Sequence, residues 1–155
     1  VEGGLITHSI NVYSRLVELV QAENLRRTGN AEIDTNTLES ITICSLLHDL
    51  CKVNFYSKST RNVKNEATGK WDKVPFYVVE DKFSYGHGEK SVFLIERFLR
   101  LNIIEALAIR WHMGGFDEAV KGGSYALNGA WSKDPLPVLL HIADLLASNI
   151  DENGR

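Results

Sequence analysis

Apolar residues recur at Leu5, Val12, Leu16, Leu19 and Val20 in the stretch LITHSINVYSRLVELVQ, the spacing of an amphipathic helix. The pattern fades into RRTGNAEIDTN, a polar, glycine-containing stretch that reads as a loop. Asn36 followed by Glu39 resembles a capping box, and LESITICSLLHDLCKV runs on from it as one helix with a broad apolar face. Between residues 54 and 85 the period shortens. There NVKNEATGKWDKVPFYVVED predicts a β-hairpin with strands near 61–66 and 70–79, Pro75 confining part of the second to an edge. GHGEKSVFLIERFLRL opens a helix near Gly88, and NIIEALAIRWHM follows behind a second capping pair, Asn102 and Glu105. GGFDEAVKGGSYALNG reads as a glycine-punctuated loop, and DPLPVLLHIADLLASNI is the last helix, with a proline in its first turn. The expected fold is mainly α: five or more helices with one β-hairpin inserted at about 60–83, in a single domain over 1–155.

Composition changes this picture little. A chain of 155 residues with 44% apolar and 24% charged residues is an ordinary globular domain with enough chain for a core. A net charge of −3 supplies no global attraction to nucleic acid or membrane, which leaves only a local basic patch. No apolar run reaches the roughly 18 residues of a membrane helix, and no signal peptide is visible. The start at Val1 is expected to mark a fragment lacking its native N-terminus. Cys44 and Cys51 lie two turns apart on one predicted helix, about 10 Å, too far for a disulfide; reduced, buried thiols suit a cytoplasmic protein.

The candidate chemistry lies in the histidines. LLHDLCK, residues 46–52, sets His48 and Asp49 side by side in an apolar run, where an ionised aspartate is costly without a cation. His8 lies in the first helix, His87 between two glycines just before a helix, and His112 at the end of an apolar helix. His141 and Asp144 share one face of the last helix at i, i+3. Taken singly, each reads more simply as a hydrogen-bonded core residue. Together they recur on almost every predicted helix, and one shared metal would satisfy them all. Spacing alone does not bring them to one point, because no local motif such as HExxH is present.

The order of these residues resembles the HD-domain metal-dependent phosphohydrolase superfamily, a helical-bundle fold named for its adjacent His-Asp pair. An early histidine, the pair in an LLHDxxK context and a late aspartate are matched by His8, His48, Asp49 and Asp144. GGLITHS, GHGEKS and LHIADLLAS also look like the HD domain of bacterial 3′→5′ exoribonucleases, although this chain has no room for their OB-fold. Cys51 departs from the family's frequent glycine, while Lys52 is retained. Binuclear members carry two further histidines in the interval where His87 and His112 lie. The resemblance implies one divalent metal on His8, His48, Asp49 and Asp144, and a second, bridged by Asp49, on His87 and His112; Mn, Fe, Ni, Co, Zn and Mg are the candidates.

Such a centre lowers the pKa of bound water and takes up phosphoryl charge, which implies hydrolysis of a phosphomonoester or phosphodiester. Asp49, Lys52 and His141 are the expected catalytic residues, His141 as a group behind the ligands or a proton shuttle. Lys52, Lys90 and Arg110 are the expected phosphate partners, on a phosphorylated small molecule, nucleotide or nucleic acid, with no membrane involved. The glycines of 114–129 read more simply as a surface loop than as a lid. Trp71, Phe76 and Tyr77 of the hairpin could stack a base, and more simply pack the hairpin onto the domain. Two alternatives stand beside the hydrolase: an HD-type diiron oxygenase, and a non-catalytic metal- or nucleotide-binding module.

Overall fold

The computed structural model describes residues 3–81 and 83–153. Among them are seven α-helices and one two-stranded antiparallel sheet. By its contacts the chain divides into a helical unit, residues 1–51 with 85–155, and a hairpin unit, residues 52–84.

The helical unit begins with α1, Gly4–Thr28, which closes on the left-handed Gly29, whose amide N–H bonds back to the Leu25 carbonyl. Arg26, Arg27 and Thr28, expected in a loop, therefore belong to its last turn, where the cations suit the helix dipole. Helix α2, Thr35–Leu47, is capped by Asp34, whose carboxylate accepts from the Thr37 amide, so the start signal is Asp34 and not the Asn36–Glu39 pair. It ends at Leu47, and Leu50–Lys52 form a separate 3-10 turn; Cys51 is thus off the helix that carries Cys44, and both thiols are free.

Helix α3 spans His87–Glu96, and α4, Ile103–Arg110, starts on the expected Asn102–Glu105 capping box. The glycine-rich stretch holds two short helices, α5 (Glu118–Lys121) and α6 (Ala126–Lys133), the first capped by Asp117. Asp caps and turn glycines share the same composition as a loop, which is why periodicity missed them. Helix α7, Pro135–Leu146, has Pro135 at its first position and continues into a π-turn over Ala147–Asp151.

Helix α1 packs on α2 and α7, and α4 packs on α3 and α7. The core lies among these faces: Val12, Leu16 and Val20 of α1, Ile41 and Cys44 of α2, Ile95 of α3, Ala108 and Ile109 of α4, and Leu140 and Ala143 of α7. The spacings 12-16-20, 41-44 and 136-140-143 are single helical stripes. Burial of one leucine such as Leu16 contributes about 1.5–3 kcal/mol.

In the hairpin unit, β1 (Tyr56–Lys64) pairs with β2 (Trp71–Val79), with Tyr56 opposite Val79 and Lys64 opposite Trp71. The first strand starts five residues earlier than the alternation predicts. Pro75 sits inside the ladder opposite Thr60, which a two-stranded sheet permits because both strands are edges.

Candidate metal centre

Each buried stripe of the helical unit ends in a polar residue. His8 precedes Val12 by one turn on α1, His48 follows Cys44 by one turn, His112 follows Ala108, and Asp144 follows Leu140. His8, His48, Asp49 and His112 are all buried, Asp144 is half-buried, and His87 opens α3 with about a third of its side chain exposed.

The carboxylate of Asp49 separates them into two groups. Its Oδ2 lies 3.6 Å from Nε2 of both His8 and His48. Its Oδ1 lies 2.7 Å from Nε2 of His87 and 3.6 Å from Nε2 of His112. His8 Nε2 also stands 3.2 Å from Asp144 Oδ1 and 3.2 Å from His48 Nε2. Three overlapping sets could hold an ion, each with ligand atoms within 4.8 Å of one another: His8, His48 and Asp49; His48, His112 and Asp144; Asp49, His87 and His112. The imidazoles form a file, His8 to His48 to His112 to His87, with ring centres 5.2, 4.9 and 5.1 Å apart.

Local structure fixes which nitrogen faces inward. His48 and His112 both sit just past a helix end, where the last carbonyls lack intrahelical donors. Nδ1–H of His48 donates to the Ser45 carbonyl at 2.8 Å, and Nδ1–H of His112 to that of Ile109 at 2.7 Å. In the neutral ring each Nε2 is then a lone pair. That of His112 is fully buried and has no hydrogen-bond partner among the described residues. An acceptor in that position is costly unless a cation meets it. His8 is oriented from outside by Glu152, whose Oε1 accepts from Nδ1–H at 2.9 Å. Ligand histidines use this arrangement of a carboxylate behind the ring.

The electrostatics agree with a site built for positive charge. Burial, aided by His112, pushes His48 down to about 4, so it is neutral and able to ligate near neutral pH. The hydrogen bond that His8 donates to Asp144 raises its pKa against the effect of burial. Contact with Asp49 and then Cys51 raises His87 to about 9. Burial acts to raise Asp144, but the His8 hydrogen bond and the neighbouring imidazoles outweigh it and keep the carboxyl low. In both His8 and His87 a proton fills a place that a cation would take.

All six expected metal ligands therefore meet in one cluster of the helical unit. The other expected residues stand differently. His141 is not a ligand: its Nδ1–H donates to the His112 carbonyl at 2.7 Å and its ring stacks on Trp131, centres 5.8 Å apart. A Cβ on Gly114 would come within 2.5 Å of the His141 ring, so this glycine, at φ 54°, lets the ring approach. Lys90 is buried on α3, one turn after His87. Arg110, expected to bind phosphate, instead pairs with Glu89 at 2.8 Å and Asp117 at 2.7 Å, over the Trp111 ring. Those contacts occupy the guanidinium, which serves to fix α4 against its neighbours. Lys52 closes the 3-10 turn and belongs to the hairpin unit.

Two neighbours of the cluster were not legible. Glu152 comes from the chain's far end, 144 residues from His8, and no spacing rule connects them. Cys51 brings its Sγ to 3.4 Å from His87 Nδ1 while its amide donates to Ser91, a contact created by the 3-10 turn.

The helical unit gathers four imidazoles and two carboxylates that could hold a metal ion, and the donor set, all imidazole nitrogen and carboxylate oxygen, fits borderline divalent ions. The HD domain family matches residues 5–149, and the chain belongs to that family. Its superfamily is that of the metal-dependent phosphohydrolases. No curated protein and no solved structure matches the chain. Among the described residues no helix is long and apolar enough to cross a membrane.

Proposed function

We propose that this chain is a binuclear metal-dependent phosphohydrolase that cleaves a phosphomonoester or phosphodiester, its substrate a nucleotide or nucleic acid. The observation that carries the reading is Asp49, whose two oxygens face two different imidazole pairs. A carboxylate so placed suits two ions, with His8, His48 and Asp144 around one and His87 and His112 around the other. Ions held there would supply a water acidic enough to attack phosphorus near neutral pH and positive charge for the phosphoryl oxygens.

The chain's own residues do the rest. Burial holds His48 and His112 dry, with Nε2 aimed inward by carbonyls of their own helices. Glu152 keeps His8 in the matching tautomer. His141 braces the turn that carries His112 through its carbonyl. Lys52, three residues after Asp49 in sequence, is proposed to bind substrate phosphate. The same ligand set in a diiron form would serve an oxygenase.

Elemental analysis of the chain purified without chelator, followed by a panel of phosphomonoesters and phosphodiesters, tests the reading. About two ions of Mn, Co, Ni, Zn or Mg per chain and chelator-sensitive release of phosphate or nucleotide are expected. Two irons with no phosphoesterase activity would replace it with the oxygenase. No metal after reconstitution would end it.

A further inference from the structure

The hairpin unit departs from the rest of the chain in charge. Residues 52–84 carry seven basic and four acidic side chains, a balance of +3 inside a chain of net −3. The strand register sorts these charges by face. Tyr56, Lys58 and Lys64 of β1 lie on the same side as Trp71, Lys73 and Tyr77 of β2, with Lys58 opposite Tyr77 and Lys64 opposite Trp71. Every residue on that side is exposed and none is acidic. Among the described residues, none of the three lysines pairs with a carboxylate.

The aromatic rings decide what such a face is for. Trp71 is 67% exposed, Tyr77 63% and Tyr56 54%. The opposite face, with Val74, Phe76 and Val78 half-buried, supplies what apolar packing the hairpin has, so the exposed rings add nothing to a core. Lysines alone would be accounted for as guards against edge pairing, since both strands are edges. Exposed aromatic rings work against that protection: Trp71 and Tyr77 stand out to solvent, while Tyr56 meets the Phe55 ring edge-on, centres 5.2 Å apart. Trp71 and Tyr77 share one strand six residues apart, roughly 20 Å. That span suits the low end of the roughly 4–16 nucleotides that stacking surfaces cover.

We propose that this face of the hairpin binds a single-stranded polynucleotide, the rings stacking on bases and Lys58, Lys64 and Lys73 meeting phosphates. Double-stranded nucleic acid hides its base faces and offers the rings nothing. The binding requires no metal and stands independently of the phosphohydrolase reading.

The test is fluorescence anisotropy of a labelled 15-nucleotide oligouridylate with the full chain, with and without EDTA, across a salt series. Expected is saturable, EDTA-insensitive binding that Trp71→Ala weakens roughly tenfold and Trp71→Phe largely preserves. Replacing Lys58, Lys64 and Lys73 by glutamine should reduce the slope of log affinity against log salt by about 2, whereas Lys121→Gln and Lys133→Gln on the helical unit should not. No binding at low salt overturns the proposal. So does binding that survives removal of both Trp71 and Tyr77 rings, or that inorganic polyphosphate of equal charge competes away as well as the strand does. Capture by phosphatidylserine vesicles without oligonucleotide binding would replace it with a membrane surface.

Discussion

The helical unit and the hairpin unit break the same rule in opposite directions. In the first, imidazoles and carboxylates that water would solvate are buried together: His48 and His112 have no exposed surface. In the second, rings that a core would bury stand in solvent: Trp71 and Tyr77 are mostly exposed. Neither departure helps folding. A buried acceptor without a donor costs about 1–3 kcal/mol, and an exposed indole forgoes its burial. Under the two readings proposed above, a partner completes each surface, a cation in one case and stacking bases in the other. A polar interior calls for a small, hard-to-lose partner; an apolar exterior calls for a large, reversible one.

The comparison breaks most directly at Asp49. Asp49→Ala removes the carboxylate that both imidazole pairs share, so metal content should fall by more than about 100-fold in affinity, beyond what loss of a group behind the ligands produces. Elemental analysis after dialysis checks it, and retention of two ions would show that the pairs bind independently. Glu152→Gln leaves every ligand in place and loses only the charge behind His8. Metal affinity by calorimetry should drop about tenfold, while Asp151→Asn, which breaks the neighbouring pair with Arg15, should leave it unchanged.

Gly88→Ala tests the packing that brings His87 to His112. A Cβ there would lie 2.1 Å from the Arg110 carbonyl oxygen, so α3 and α4 must part. Thermal unfolding should register a loss of about 1–3 kcal/mol, with weaker metal retention; an unchanged melting temperature would show that the contact yields freely.

In the metal-stripped chain, the folded His87 is raised from 6.5 to about 9 by Asp49 and Cys51. Its folded state binds the proton more tightly than the unfolded state. The resulting stability is fully present below pH 6.5 and lost as pH rises through about 9. Metal competes with that proton, so the melting-temperature gain on adding metal should grow across the same window. Melting curves in EDTA and in Mn2+ from pH 6 to 9.5 check the sign. The smallest effect belongs to Trp71→Ala, which should move stability by less than about 0.5 kcal/mol, because the residue is mostly exposed. A larger loss would return the ring to the hairpin's own structure.

The sequence by itself determined the helical character of the chain, the hairpin and the helix faces on which four of the candidate ligands lie. His8, His48, His112 and Asp144 extend the apolar stripes of their helices by one turn, and a stripe is a property of local spacing. It also carried the Asn102 and Pro135 starts, because capping chemistry is local. The hidden helices α5 and α6 and the Asp34 cap were lost among turn-forming residues whose composition serves loops and helix starts alike.

Only the tertiary structure decided that the stripes converge. Nothing in spacing brings Glu152 to His8, turns Arg110 toward Asp117, or leaves His112 Nε2 buried without a hydrogen-bond partner among the described residues. Those outcomes depend on how α1, α4 and α7 pack, and packing joins residues that chain distance keeps apart. The faces of the hairpin followed the same division: alternation gave two sides, and the register with burial decided which one was left to solvent.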